Sequence, residues 1–281
     1  MSKPKTLAQE LLLFLLLIAV SIGASYGIVA LMHKPLKKAS RGIDGVPVSW
    51  ETGLKDRVKK YIANDSRTVD DETVVAAVDS IRNRLLANET DTTYRVEIMV
   101  VESETVNAVT FPGGLIVVFT PLIRLTDSPE ELAAVIAHEL GHVVHRDPLK
   151  QMAKEIGVST VLSMINGGKA APMIETLVKD FLDVQYTREQ EQAADEYAFR
   201  LLAKSRISPR YFAVFMEKLA PDSAVAEKDR AKFEYFSTHP DVRARIDGAK
   251  IAAKEFDAKS ELRFRIDWKD VKRSLPSVFD R

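Results

Sequence analysis

The sequence predicts an α+β protein, mostly helical, with a small β-sheet and one N-terminal transmembrane helix. Three observations lead there. An uncharged apolar run lies near the amino terminus, from Leu11 to Met32. A β-branched stretch from Tyr94 to Phe119 is broken by Pro112, Gly113 and Gly114. Nearly every other segment carries apolar residues at the three-to-four spacing of a helix that buries one face.

The run from Leu11 to Met32 has the length that a helix needs to cross a bilayer. Lys3 and Lys5, with the small residues of "SIGAS", also fit a signal peptide. The apolar run continues past that point, so a retained anchor is the expectation, with residues 1–10 as a tail. Residues 33–47, basic and rich in turn formers, read as a linker to a soluble domain over 48–281. The short basic tail and the absence of cysteine favour an extracytoplasmic domain, although Lys34, Lys37, Lys38 and Arg41 put positive charge beyond the span as well.

Within the domain, Leu54, Val58, Ile62, Val74, Val78, Ile81 and Leu85 predict two helices between Trp50 and Ala87. "YRVEIMVVES" and "VNAVTFPGGLIVVF" then predict a sheet containing a hairpin. "TDSPEEL" is a helix start: Asp127 or Ser128 can cap, Pro129 suits the first turn, and Glu130 and Glu131 favour the positive end of the helix dipole. That helix should run to about His145. Further helices are expected over 149–165, 172–184, 188–204, 209–219 and 242–256. Leu262, Phe264, Ile266 and Trp268 alternate with charged residues, which fits either a half-buried strand or a docked tail.

The 40 basic and 40 acidic side chains cancel, so no global field gathers nucleic acid, and none is expected as a partner. Without cysteine, thiol catalysis, disulfides and thiolate-ligated zinc are excluded. The chemistry therefore rests on histidines and carboxylates. "AAVIAHELGHVVHRD" sets His138 and His142 four apart on one helix face, the spacing of a metal-ligand pair. Glu139 is turned by roughly 100° from His138. It is badly placed as a ligand but well placed as a general base beside the metal. On a helix with flanks as apolar as "LAAVIA" these groups would each cost about 1–3 kcal/mol if left unpaired. His145 lies too far along for the same site and is expected to cap the helix end.

A catalytic zinc needs a third protein ligand. "YTREQEQAADEYA" offers Glu191 and Asp195, four apart, one to ligate and the other to accept the free N–H of a ligand histidine. Ala193 and Ala194 would let that helix pack closely on its neighbour.

"HELGH", "TREQEQAAD", the preceding "NAVTFPGG" and the following "STHP", in this order from Asn107 to about Ile246, resemble the M48 family of membrane-associated zinc metallopeptidases. The resemblance implies a zincin fold of the gluzincin type and one Zn2+ per chain. It implies His138, His142 and Glu191 as ligands, Glu139 as catalytic base, Asp195 beside a ligand histidine, His239 facing the developing oxyanion, and Arg245 supporting this region. Ala193, Thr187 and Val109 depart from the family's usual glutamate, serine and phenylalanine. A minimal, singly anchored endopeptidase acting on protein or peptide substrates in envelope or membrane protein quality control is the expectation. Asn107, Ala108, Pro112, Gly113 and Gly114 mark the strand along which an extended substrate would lie. The rival is a non-catalytic, membrane-anchored chaperone or assembly factor with a zinc-stabilised fold. Glu139 speaks against it, because a structural site closes all four positions with protein ligands and has no use for a base.

Overall fold

The computed structural model describes residues 45–87, 89, 93–165, 174–176, 178, 179, 185–220, 235, 239 and 241–277. The expected tail, anchor and most of the linker fall outside these residues, as does much of the helix expected over 172–184. Among the described residues no helix is long and apolar enough to cross a membrane.

The first two helices form where the apolar spacing places them. α1 (Val48–Asp65) buries Leu54, Val58 and Ile62. α2 (Glu72–Leu86) buries Val74, Val78, Ile81 and Leu85, and the Asp71 carboxylate caps it by accepting the backbone N–H groups of Thr73 and Val74. The sheet has three strands, β1 (Glu97–Val101), β2 (Ala108–Phe111) and β3 (Leu115–Phe119), in the order β1-β3-β2. β3 runs parallel to β1 and antiparallel to β2. Gly113 and Gly114, with φ of 82° and 85°, adopt the left-handed conformations that the β2–β3 turn requires.

The period of two divides the molecule into two cores. Ile116 and Val118 join the larger one, while Leu115, Val117 and Phe119 join a second cluster against α1. A short helix that the sequence pattern did not predict, α3 (Thr120–Leu125), follows β3 directly.

α4 (Pro129–Val144) is the central element. Ser128 caps it, and every residue from Pro129 to Val143 is buried. Gly157, with φ of 84°, divides the single helix expected over 149–165 into α5 (Asp147–Ile156) and α6 (Val158–Ile165). α7 (Arg188–Lys204) and α8 (Arg210–Leu219) pack on α4, and α9 (Val242–Glu255) packs on both of them. α4 thus lies among α2, β2, α7 and α8.

The alternating residues 262–268 do not form a strand. They are a docked tail entering α10 (Trp268–Ser274). The Leu262 N–H donates to the Arg206 carbonyl, the Phe264 N–H to the Glu130 carboxylate, and the Trp268 indole N–H to the Thr126 carbonyl. Arg84 fastens this tail to the end of α7 by donating to the carbonyls of Ser205, Arg206 and Leu262.

Candidate metal centre

On a helix as deeply buried as α4, polar side chains find their partners inside the protein, and an exception calls for an explanation. His138, Glu139 and His142 are all fully buried. The first two histidine partners come from α7. Its capping box, in which the Thr187 hydroxyl and the Gln190 side chain each bond the other's backbone N–H, starts the helix at Arg188, three residues before Glu191. The threonine found where the M48 pattern has serine keeps this cap. Gly141 lets α7 approach: a Cβ at that position would lie 2.8 Å from both the Cα and the carbonyl oxygen of Ala194. Ala194 is at the contact, as expected, while Ala193 is only half-buried.

The close approach brings four donor groups together. The Nε2 atoms of His138 and His142 are 3.1 Å apart. The Glu191 carboxylate oxygens lie 3.6 Å from His138 Nε2 and 3.5 Å from His142 Nε2. His239 places Nδ1 2.8 Å from Glu191 Oε1 and 3.4 Å from His138 Nε2. One ligand atom from each of these residues falls within 4.8 Å of all the others. Tetrahedral zinc with bonds of ~2.0–2.1 Å holds its ligand atoms roughly 3.3 Å apart. The donor set therefore fits one zinc ion.

Both α4 histidines use their second nitrogen. His138 Nδ1 is 2.9 Å from Asp195 Oδ1, and His142 Nδ1 is 2.9 Å from Asp147 Oδ2. Arg245, from α9, grips Asp195 through two bonds of 2.8 Å and reaches Glu191 Oε2 at 2.8 Å. Burial opposes every one of these charges, and the partners decide the outcome. His138 is pushed down to about 4, by burial and then by the neighbouring Arg245 cation, against the pull of Asp195. His142, equally buried, is nevertheless raised to about 9 by its bonds to Asp147 and Glu191. Burial acts to raise Glu191, but His239 and Arg245 hold it well below the usual carboxylate range.

Glu139 stands beside this group. Its Oε2 accepts a 2.6 Å bond from the Thr110 hydroxyl on β2. Its Oε1 faces His239 Nε2 at 3.7 Å and has no hydrogen-bond partner among the described residues. Tyr186 stacks on His142 at 4.0 Å between ring centroids, and Tyr235 stacks on His239 at 4.3 Å.

All seven expected residues of the centre, His138, Glu139, His142, Glu191, Asp195, His239 and Arg245, meet here. His239 stands closer than expected, within the donor group itself. Of the expected substrate strand, Asn107 and Ala108 lead into β2 beside α4, but Gly113 is tied to α1, its N–H donating to Glu51 Oε2 at 3.0 Å. His145 is the C-cap of α4 and takes no part.

Asp147, Thr110, Tyr186 and Tyr235 were not expected. Asp147 lies five residues beyond His142, and only the left-handed Arg146 (φ 57°) turns it back toward the ring. The Arg146 guanidinium is held in that strained corner by Glu51, at 2.6 and 3.0 Å. Thr110 had a legible signal: a hydroxyl on the face of β2 that its neighbours make apolar.

The profile of peptidase family M48 matches residues 75–252, more than half of the chain and all of this centre. The chain belongs to peptidase family M48. Among curated M48 relatives it is 26% identical over 220 residues to the beta-barrel assembly-enhancing protease of Yersinia pestis, covering 74% of this chain and 45% of that protein. It is 33% identical over 149 residues to the mitochondrial metalloendopeptidase OMA1 of Arabidopsis thaliana, covering 53% of this chain and 30% of that one. The metalloprotease LoiP of Escherichia coli is 34% identical over 122 residues, 41% of this chain and 48% of that one. The chain spans less than half the length of these M48 relatives.

Proposed function

We propose that this chain is a zinc-dependent endopeptidase that hydrolyses peptide bonds of protein substrates. The observation that carries the proposal is the pairing of a donor set that fits zinc with a buried carboxylate, Glu139, whose Oε1 has no hydrogen-bond partner among the described residues. His138, His142 and Glu191 would hold the ion, one per chain, with Asp195 and Asp147 fixing the two rings and Arg245 neutralising the carboxylates. A bound zinc ion would supply Lewis acidity to the scissile carbonyl and to the attacking water. Glu139 Oε1 takes a proton from that water as the water oxygen bonds to the carbonyl carbon, and returns it to the amide nitrogen as the C–N bond breaks. His239 Nε2, on the same side as Glu139 Oε1, donates to the oxyanion. The peptide lies extended along β2, between Asn107 and the Pro112–Gly114 turn. β2 is buried here, so an incoming chain has to displace what covers it.

A role in envelope or membrane protein quality control draws support from the names of the relatives and from the apolar run Leu11–Met32, which would anchor the domain on the extracytoplasmic side. A second reading is favoured by one observation: His239 places a nitrogen in the ligand group, and a fourth protein ligand is the mark of a structural site. Metal content and turnover of His239→Ala separate the two. On the catalytic reading the variant keeps about one zinc per chain and loses turnover, on the order of a hundred- to a thousand-fold for one oxyanion donor. On the structural reading it loses zinc and melts lower. His138→Ala and Glu191→Ala should lose the metal in either case.

A further inference from the structure

Thr110 has no role in the chemistry described so far, yet it makes the shortest contact to Glu139. The β2–β3 register pairs Ala108 with Val118 and Thr110 with Ile116. These positions share the sheet face that packs on α4, where Ala108, Ile116 and Val118 join the larger apolar core. Thr110, 1% exposed, is the polar member of that face. A buried hydroxyl is tolerated only when its hydrogen bond is made. Here it is made to Glu139 Oε2 at 2.6 Å, with the Glu139 backbone carbonyl a distant 3.4 Å away.

A hydroxyl bonded to one carboxylate oxygen removes a rotational freedom from the other. Rotation about the last side-chain bond would exchange Oε1 and Oε2, and tilting would carry the group off the donor set. The bond to Thr110 opposes both, because β2 is itself pinned by its ladder to β3 and by the Glu51 contact at Gly113. We propose that Thr110 is a positioning residue: it holds Glu139 by Oε2, so that Oε1 is the oxygen that takes and returns the proton. This rests on Glu139 acting as the base. It also couples the strand along which the substrate lies to the group that performs the chemistry, since a shift of β2 moves Glu139.

The test is kinetic, with a structural measurement beside it. Thr110→Val keeps the shape and removes the donor. With an unfolded protein as substrate its kcat should fall on the order of ten- to a hundred-fold, the scale of a misplaced catalytic group, while KM and zinc per chain stay at the wild-type level. Thr110→Ser, which restores the donor, should recover kcat to within a few-fold. Unchanged kcat in Thr110→Val, a rise in KM alone, or loss of zinc would each overturn the proposal. In metal-free protein, the denaturation midpoints of Thr110→Val, Glu139→Ala and the double variant should be non-additive; additive losses would deny the contact. Should Glu139→Gln cleave as fast as wild type, the base reading falls instead, and the cycle still decides whether Thr110 holds the carboxylate. Thr110→Ala replaces Thr110→Val in both measurements if the valine variant does not fold.

Discussion

Replacing Gly141 by alanine tests whether the centre depends on the approach of α4 to α7. In an ordinary helix interior the change stabilises by about 1 kcal/mol, because glycine is the poorer helix former. Here the new Cβ meets the Ala194 Cα and carbonyl oxygen at 2.8 Å and the Ala194 Cβ at 3.1 Å, and two of these three atoms are backbone. Neither can turn aside as a flexible side chain would. Overpacking of this kind costs roughly 1–3 kcal/mol, so the net loss of stability should be small, up to about 2 kcal/mol. The geometric effect is larger. Restoring a van der Waals contact of ~3.5 Å opens the helices by about 0.7 Å at a point three residues from Glu191 and one from His142. Metal sites tolerate about 0.2 Å. Gly141→Ala should therefore lose zinc affinity far out of proportion to its stability. Competition with a fluorescent chelator measures the first, and thermal melting of metal-free protein the second. A variant that binds zinc as wild type does and melts higher would refute this reasoning.

Asp147→Asn should weaken zinc by about ten- to a hundred-fold, the usual effect of losing a carboxylate behind a ligand histidine, and chelator competition again reads it; unchanged affinity would make the Asp147–His142 contact incidental. A pH dependence is expected outside the centre, at Glu97. Hydrogen bonds from Lys55 and then Lys59 lower this carboxyl to about 2, below the ~4.3 of an unfolded chain. The folded state then binds fewer protons, so the contribution of Glu97 is complete above about pH 5 and is lost as the pH falls through 4 toward 2. Urea midpoints of metal-free Glu97→Gln should fall less steeply over that range than those of wild type, and parallel curves would remove Glu97 from the acid response.

How far these features were legible depends on the range of the contacts that make them. The spacing of His138, Glu139 and His142 is local, and so is that of Glu191 and Asp195, so periodicity alone placed each pair on one face. Assigning Glu191 to the metal, and bringing in His239 and Arg245, took the resemblance, because nothing local links α4 to residues about fifty to a hundred positions away. Asp147 was hidden by backbone conformation. It reaches His142 only through a left-handed arginine, a state that residue type does not announce, and that state is stabilised by Glu51 from α1. The alternation at 262–268 left a strand and a docked tail equally open for a related reason. Period two implies a ladder only when a neighbouring strand accepts it, and here Arg206 and the Glu130 carboxylate take the hydrogen bonds instead.

The central claim, that Glu139 is the base of a zinc endopeptidase, is tested most directly by Glu139→Gln. The substitution preserves volume and leaves the ligands untouched. Purified wild type and variant, each loaded with about one zinc per chain, would be compared in the cleavage of an unfolded protein under the same conditions. The account predicts equal zinc content and equal melting temperature, with proteolysis abolished in the variant. Cleavage by Glu139→Gln at the wild-type rate would contradict it.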